Sequence, residues 1–225
     1  PELTRAVASS DREAVAHAES RALELATGLA LPATLGLIVL AEPIVRLLFE
    51  HGAFGPDDSA ATAHALMWLA LGLPAHVLIK ALSPAFYARS DTMTPLLATA
   101  KGFVVAVVLA VLLGHFFGAS GIAASIATGA WSSALSLLQK GTAEFGFSVD
   151  AAARKRLPRI GLAAAAMGAL LWLTTDLMSA EAHGLIRLIV LGLQIGTGIA
   201  IYGLLLHILG AASWREAVNA LKRPA

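Results

Sequence analysis

No cysteine occurs anywhere in the 225 residues, which removes disulfides, thiolate metal sites and cysteine nucleophiles from this stretch. Charge is equally sparse. Only 14% of residues are Asp, Glu, Lys or Arg, where a soluble domain carries roughly a quarter. There is no HExxH, no GxSxG, no Walker loop and no pair of acids at helical spacing within an apolar run, so proteolysis, acyl hydrolysis and ATP hydrolysis have no support. The histidines do not change this: His64 and His76 would lie ~18 Å apart along one helix and cannot share an ion. No catalytic residue, metal or cofactor is expected. The chain begins Pro1-Glu2-Leu3 without the basic n-region and cleavage site of a signal peptide, and it reads as a piece of something longer.

What is present is apolar. Hydrophobic residues make up 57% of the sequence and the mean hydropathy is +0.75. The apolar residues fall in runs near the ~20 needed to cross a bilayer as a helix. Six such runs cover 22–41, 60–82, 95–117, 120–138, 157–178 and 185–209. Strands are excluded because a barrel strand alternates apolar and polar residues, whereas "GFVVAVVLAVLLG" from Gly102 to Gly114 is apolar on every face. The expected fold class is all-α, a polytopic membrane helix bundle with six transmembrane helices.

The basic residues orient it. All of the sixteen Lys and Arg residues except Arg46 and Arg187 fall before the first run, near the turn between the second and third, between the fourth run and the start of the fifth, or after the sixth. The positive-inside rule then makes both ends cytoplasmic and turns "EPIVRLLFEHGAF" (Glu42 to Phe54) outward. This divides the chain into a cytoplasmic linker at 1–21, four spans at 22–140, a basic cytoplasmic loop at 141–159, and two final spans with a tail at 160–225. "AAARKRLPR" (Ala151 to Arg159) reads as a topology determinant touching anionic headgroups, and no nucleic-acid partner is expected. The outward stretch reads as a short surface helix started by Pro43. Ile44, Leu47 and Leu48 would rest on the membrane, Arg46 would pair with Glu50, Phe54 would anchor at the interface, and Asp57 or Ser59 would cap the next span.

Charges inside spans are costly and mark functional candidates. Lys80 either snorkels to the cytoplasmic interface or faces a water-filled cavity that receives an anion, and Lys101 faces the same choice. In the fourth span Gly121, Ser125, Thr128, Gly129, Ser132, Ser133 and Ser136 recur at helical steps, as helix packing or as a cavity lining. Gly192, Gly196 and Tyr202-Gly203 read as a face of the sixth span packed on the fifth. Pro32, Pro74 and Pro84 point to helices that bend.

"LALPATLGLIVLAEPIVRLLFEHGAF" and "ALGLPAHVLIKALSPAFYARSDTMTP" resemble the second half of the bacterial MurJ (MviN) lipid II flippases, members of the multidrug/oligosaccharidyl-lipid/polysaccharide exporter superfamily. The resemblance rests on Leu31-Pro32, Pro43, Leu47, Phe49, Gly52, Phe54, Gly72-Leu73, Lys80, Ser83-Pro84, Phe86-Tyr87-Ala88, Asp91 and Thr94-Pro95. It implies helices nine to fourteen of a fourteen-helix flippase, with Ser10 or Asp11 capping the ninth. It also implies alternating access that carries the lipid II headgroup across the cytoplasmic membrane for cell-wall synthesis, with the lipid tail and membrane lipids against the last two spans. The partner is then the N-terminal lobe of the same protein, whose upstream arginines would take most of the headgroup charge. Lys80, Arg89, Asp91 and Lys101 are the substrate-binding or gating candidates here, with Arg89 and Asp91 open to a local salt bridge. One departure is that no polar side chain falls between Lys101 and His115, which speaks against a sodium site in this lobe. Export of another lipid-linked oligosaccharide or a drug, or a non-transporting membrane scaffold, are the alternative readings.

Overall fold

The structure, a computed structural model, describes residues 12–145, 151–178 and 185–210. Its helices in chain order are α1 (Arg12–Val39), α2 (Ala41–Phe49), α3 (Pro56–Tyr87), α4 (Met93–Phe145), α5 (Ala151–Met178) and α6 (Leu185–Ile208). All but the short α2 are long and apolar enough to cross a membrane. The expected caps Ser10 and Asp11 lie outside the described residues.

Helix α4 has 53 residues, which would run about 80 Å if straight, against ~30 Å of hydrocarbon. It instead folds back at Gly118, whose φ of 56° and ψ of −135° suit a residue without a Cβ. The two arms then lie in direct contact. A Cβ on Gly102 would overlap Ser133 Oγ and the Gly129 carbonyl, and one on Gly121 would overlap the Leu113 carbonyl. The arms are the third and fourth spans read from the sequence, so five long helices make six crossings.

Helix α1 packs against α3 on one side and α5 on the other, α3 packs against α4, and α5 against α6. Leu23, Leu82, Phe86, Ala98 and Leu137 join α1, α3 and both α4 arms at the end of the bundle that carries Arg89, called here the basic end. Between α3 and the second arm of α4 the contact is made by Ala75, Ala130 and Ala134. Small side chains let backbones approach closely, which is how helices associate in lipid, where apolar burial gives no advantage.

One of the proline breaks receives a donor from another helix at the carbonyl it frees, and a second inter-helix donor lies close to another. Pro32 has no N–H for the Gly28 carbonyl one turn earlier. Tyr202 of α6 donates its hydroxyl to that carbonyl at 2.7 Å. In the turn before Pro74, Trp131 Nε1 donates to the Leu71 carbonyl at 2.9 Å.

At the opposite end α2 differs in detail from the expectation. It starts at Ala41, two residues before Pro43, and buries Ala41 and Val45 against Ala63. Ile44 and Leu47 are half-buried, and the outward apolar pair is Leu48 and Phe49. Arg46 pairs with Glu50 at 3.6 Å as expected, and also with Glu42. Phe54 is no interfacial anchor, because it packs into the Val45 cluster. Neither Asp57 nor Ser59 caps α3: the N-cap is Gly55, whose N–H donates to Asp58 Oδ2 at 3.0 Å. Ser59 is fully buried, one turn too deep to reach the helix end. The α6 face also needs correction. Gly192, Gly196 and Gly203 meet nothing, and the buried stripe is Leu191, Gln194 and Gly198, with Gly198 against Leu171 of α5. The glycine count misled, since only one of four glycines lies on the packed side.

Candidate functional site

The turn from α3 to α4 is built by its own backbone. The Arg89 and Asp91 N–H groups donate to the Phe86 carbonyl at 2.9 and 3.0 Å, and Ser90 takes the left-handed conformation with φ of 61°. Asp91 Oδ1 accepts the Thr94 N–H at 3.0 Å, satisfying one of the orphan donors at the start of α4. That hydrogen bond holds the Asp91 carboxyl below the usual carboxylate range, since it favours the charged form.

Arg89 projects from this turn onto α1. Its Nη1 donates to the Ala85 carbonyl at 2.7 Å, and Nη1 and Nη2 both lie 3.3 Å from Glu19 Oε1. The Glu19 side chain is 4% exposed and that of Arg89 24%, so the pair is screened from water. A second pair joins α1 to α5: Arg156 Nη1 lies 3.3 Å from Glu24 Oε2, with the side chains 39% and 17% exposed. Arg154, Lys155 and Arg159 remain exposed on the first turns of α5.

Lys101 lies on the seam of the α4 hairpin. Its Nζ donates to Ser136 Oγ at 3.0 Å, while the Ser136 hydroxyl donates onward to the Ser132 carbonyl at 2.8 Å. Lys80 is exposed on α3. Arg89 and Asp91 thus share one turn, whereas Lys101 stands on a different seam and Lys80 on its own helix face.

A groove of about 400 Å³ runs between α3 and the first α4 arm, walled by His76, Ile79, Thr99, Phe103 and Val107, with Ser133 of the second arm at its floor. Thr99 and Ser133 turn their hydroxyls to the carbonyls of Pro95 and Gly129, so the groove offers a mostly apolar surface with one imidazole. His64 lines a separate, smaller groove with Ile38, Met67, Trp68 and Leu71. The small-residue stripe of the fourth span divides accordingly. Gly121, Ser125, Gly129 and Ser133 are buried against or beside the other arm, which is packing. Among the described residues no three His, Asp or Glu side chains come together as a metal site.

Sequence reasoning passed over Glu19 and Glu24, and took Tyr202 only as part of a packing face, not as the donor to Gly28. Glu19 falls in the stretch that the sequence presents as a linker, yet α1 is already helical at Arg12. Its partner lies 70 residues away, beyond any local spacing rule. A signal existed for Tyr202: Pro32 in a span leaves the Gly28 carbonyl in need of a donor.

The chain is similar to known proteins over its length. A family model described as "Lipid II flippase MurJ" matches residues 1–192. A probable lipid II flippase MurJ of Rhizobium meliloti (strain 1021) is 38% identical over 230 residues, covering 100% of this chain and 43% of the relative. One of Rhizobium tropici is 32% identical, covering 99% of this chain and 43% of the relative. The solved structure of a lipid II flippase MurJ in an inward closed conformation superposes with a TM-score of 0.75 at 25% identity, covering 96% of this chain and 42% of that one. The chain therefore spans less than half the length of these relatives. With five apolar helices in the same arrangement, it is a multi-pass inner-membrane protein, and it belongs to the lipid II flippase MurJ family.

Proposed function

We propose that this chain is the C-terminal part of a flippase that carries lipid II across the cytoplasmic membrane by alternating access, with both ends of the segment cytoplasmic. The observation that carries the reading is the agreement in fold over 96% of the chain with a lipid II flippase. In this orientation the basic end faces the cytoplasm, where the substrate's pyrophosphate and sugars are loaded. Lys80 and Lys101 offer positive charge within spans, where an unpaired cation facing lipid would be costly. They serve the headgroup, which cannot cross hydrocarbon unpaired. Arg89 gates the cytoplasmic mouth on the turn that Asp91 stabilises. Exposed Leu162, Trp172, Leu173, Leu193 and Ile199 of α5 and α6 give the prenyl tail an apolar surface, so only the headgroup has to move through protein. The N-terminal lobe, upstream in the relatives, supplies the other wall of the cavity.

The test is complementation. The full-length protein, expressed in a bacterium depleted of its own flippase, is expected to restore growth and the appearance of lipid II in the outer leaflet. Lys80→Ala and Lys101→Ala together should cut that export about tenfold or more, the cost of losing charge-assisted contacts of 1.5–3 kcal/mol. Insertion without any restored export would favour a scaffold. Restored export of a different lipid-linked sugar would favour another exporter activity.

A further inference from the structure

Both ion pairs that the described residues make between different helices have their acid on α1. The other ion pairs among the described residues, Arg46 with Glu42 and Glu50 and Lys140 with Glu144, are local at a spacing of four, within α2 and its C-cap and within α4, and join no two helices. Glu19 and Glu24 are five residues apart, which on a helix is about 140° of rotation. The two carboxylates therefore leave α1 on different flanks. Glu19 meets Arg89 on the α3–α4 turn and Glu24 meets Arg156 on α5.

We infer that Glu19 and Glu24 form a two-sided ionic clasp that makes α1, the α3–α4 turn and α5 move as one body. The inference rests on the alternating-access reading above and assigns the moving parts within it. Three features support rigidity. Glu19 is almost wholly buried, so withdrawing Arg89 would strand a charge, and breaking such a pair is strongly unfavourable. Arg89 is also anchored to its own helix through the Ala85 carbonyl. Further along α1, α5 is tied again where Leu35 packs on Gly168, and α6 is tied in addition where Gly28 accepts the Tyr202 hydroxyl. The final two helices are consequently carried by α1 rather than hinged on it, and the cations of α5 keep a fixed position relative to Arg89.

The experiment uses the full-length protein in nanodiscs, with spin labels at Thr92 and Lys155, both exposed, and a second label pair between Thr92 and the upstream lobe. Distances are read by pulsed electron resonance with and without added lipid II. The expected result is a single narrow Thr92–Lys155 distribution under both conditions while the cross-lobe distance changes. A Thr92–Lys155 distance that switches along with the cross-lobe distance overturns the clasp. If the cross-lobe distance stays constant, alternating access is what fails, and the variants judge the clasp separately. Glu19→Gln with Glu24→Gln should broaden or lengthen the Thr92–Lys155 distribution by about 5 Å, the order of one helical turn. An unchanged distribution overturns the inference. Should that variant fail to insert, the exchange Glu24→Arg with Arg156→Glu decides: a narrow distribution supports the clasp and a broad one sinks it.

Discussion

Tyr202 and Gly28 stand 174 residues apart, yet the hydrogen bond between them follows from one missing proton. Proline at position 32 cannot donate to the Gly28 carbonyl, and a carbonyl left unpaired in hydrocarbon costs several kcal/mol. The Tyr202 hydroxyl fills that place. Tyr202→Phe should therefore destabilise the protein by about 1 kcal/mol, within the range measured for such bonds in membranes. Pro32→Ala restores the N–H that the carbonyl lacks, so in that background the cost of Tyr202→Phe should largely vanish. Thermal unfolding of the four proteins in nanodiscs closes the cycle. Equal costs in both backgrounds would show that the hydroxyl contributes only through packing. At this scale the sequence was partly legible. Lys80 and Lys101 could be picked out because charge is rare in apolar runs, and Arg89 and Asp91 because they sit at the turn between two runs within the stretch that carries the resemblance. The partners of Arg89 and Lys101, Glu19 and Ser136, depend on which helices touch, and helix spacing says nothing about that.

Elements were more legible than contacts. Runs of apolar residues near the membrane's thickness marked all six crossings, because length and hydropathy alone decide whether a helix spans. Which face packs was less accessible in α6, where an all-apolar helix has no polar side to point away from its neighbour. Glycines were the available guide there, and Gly192 and Gly196 proved to face open space. The α4 hairpin is the more informative case. Gly118 has open space around its missing Cβ and a φ of 56° with ψ of −135°, so any cost of a side chain there is backbone strain and not a clash. Gly118→Ala should cost about 1–3 kcal/mol, seen as a lower yield of inserted protein and earlier heat unfolding. Ser120→Ala, two residues on and in helical conformation, is the control and should be near neutral. If Gly118→Ala matches that control, the fold-back is not held by the glycine conformation.

For the whole molecule, orientation governs the proposed function, which requires that the basic end face the side from which the headgroup would be loaded. The bundle supplies two chemically distinct ends. One carries Arg89, Lys140 and the cations of α5, and the other carries α2 with Glu42, Glu50, Asp57 and Asp58, where Arg46 is already paired with two acids. A bilayer with anionic lipid and an inside-negative potential favours the basic end on the cytoplasmic side. Single cysteines can read this out directly, because the segment contributes none of its own. Ala53→Cys, exposed in the turn after α2, and Thr92→Cys, exposed before α4, should behave oppositely in intact cells. Ala53→Cys is expected to react with a membrane-impermeant maleimide at once, and Thr92→Cys only after the membrane is permeabilised. The reverse pattern would place Arg89 and Lys140 outside and would remove the physical basis for the proposed loading of substrate at this end of the protein.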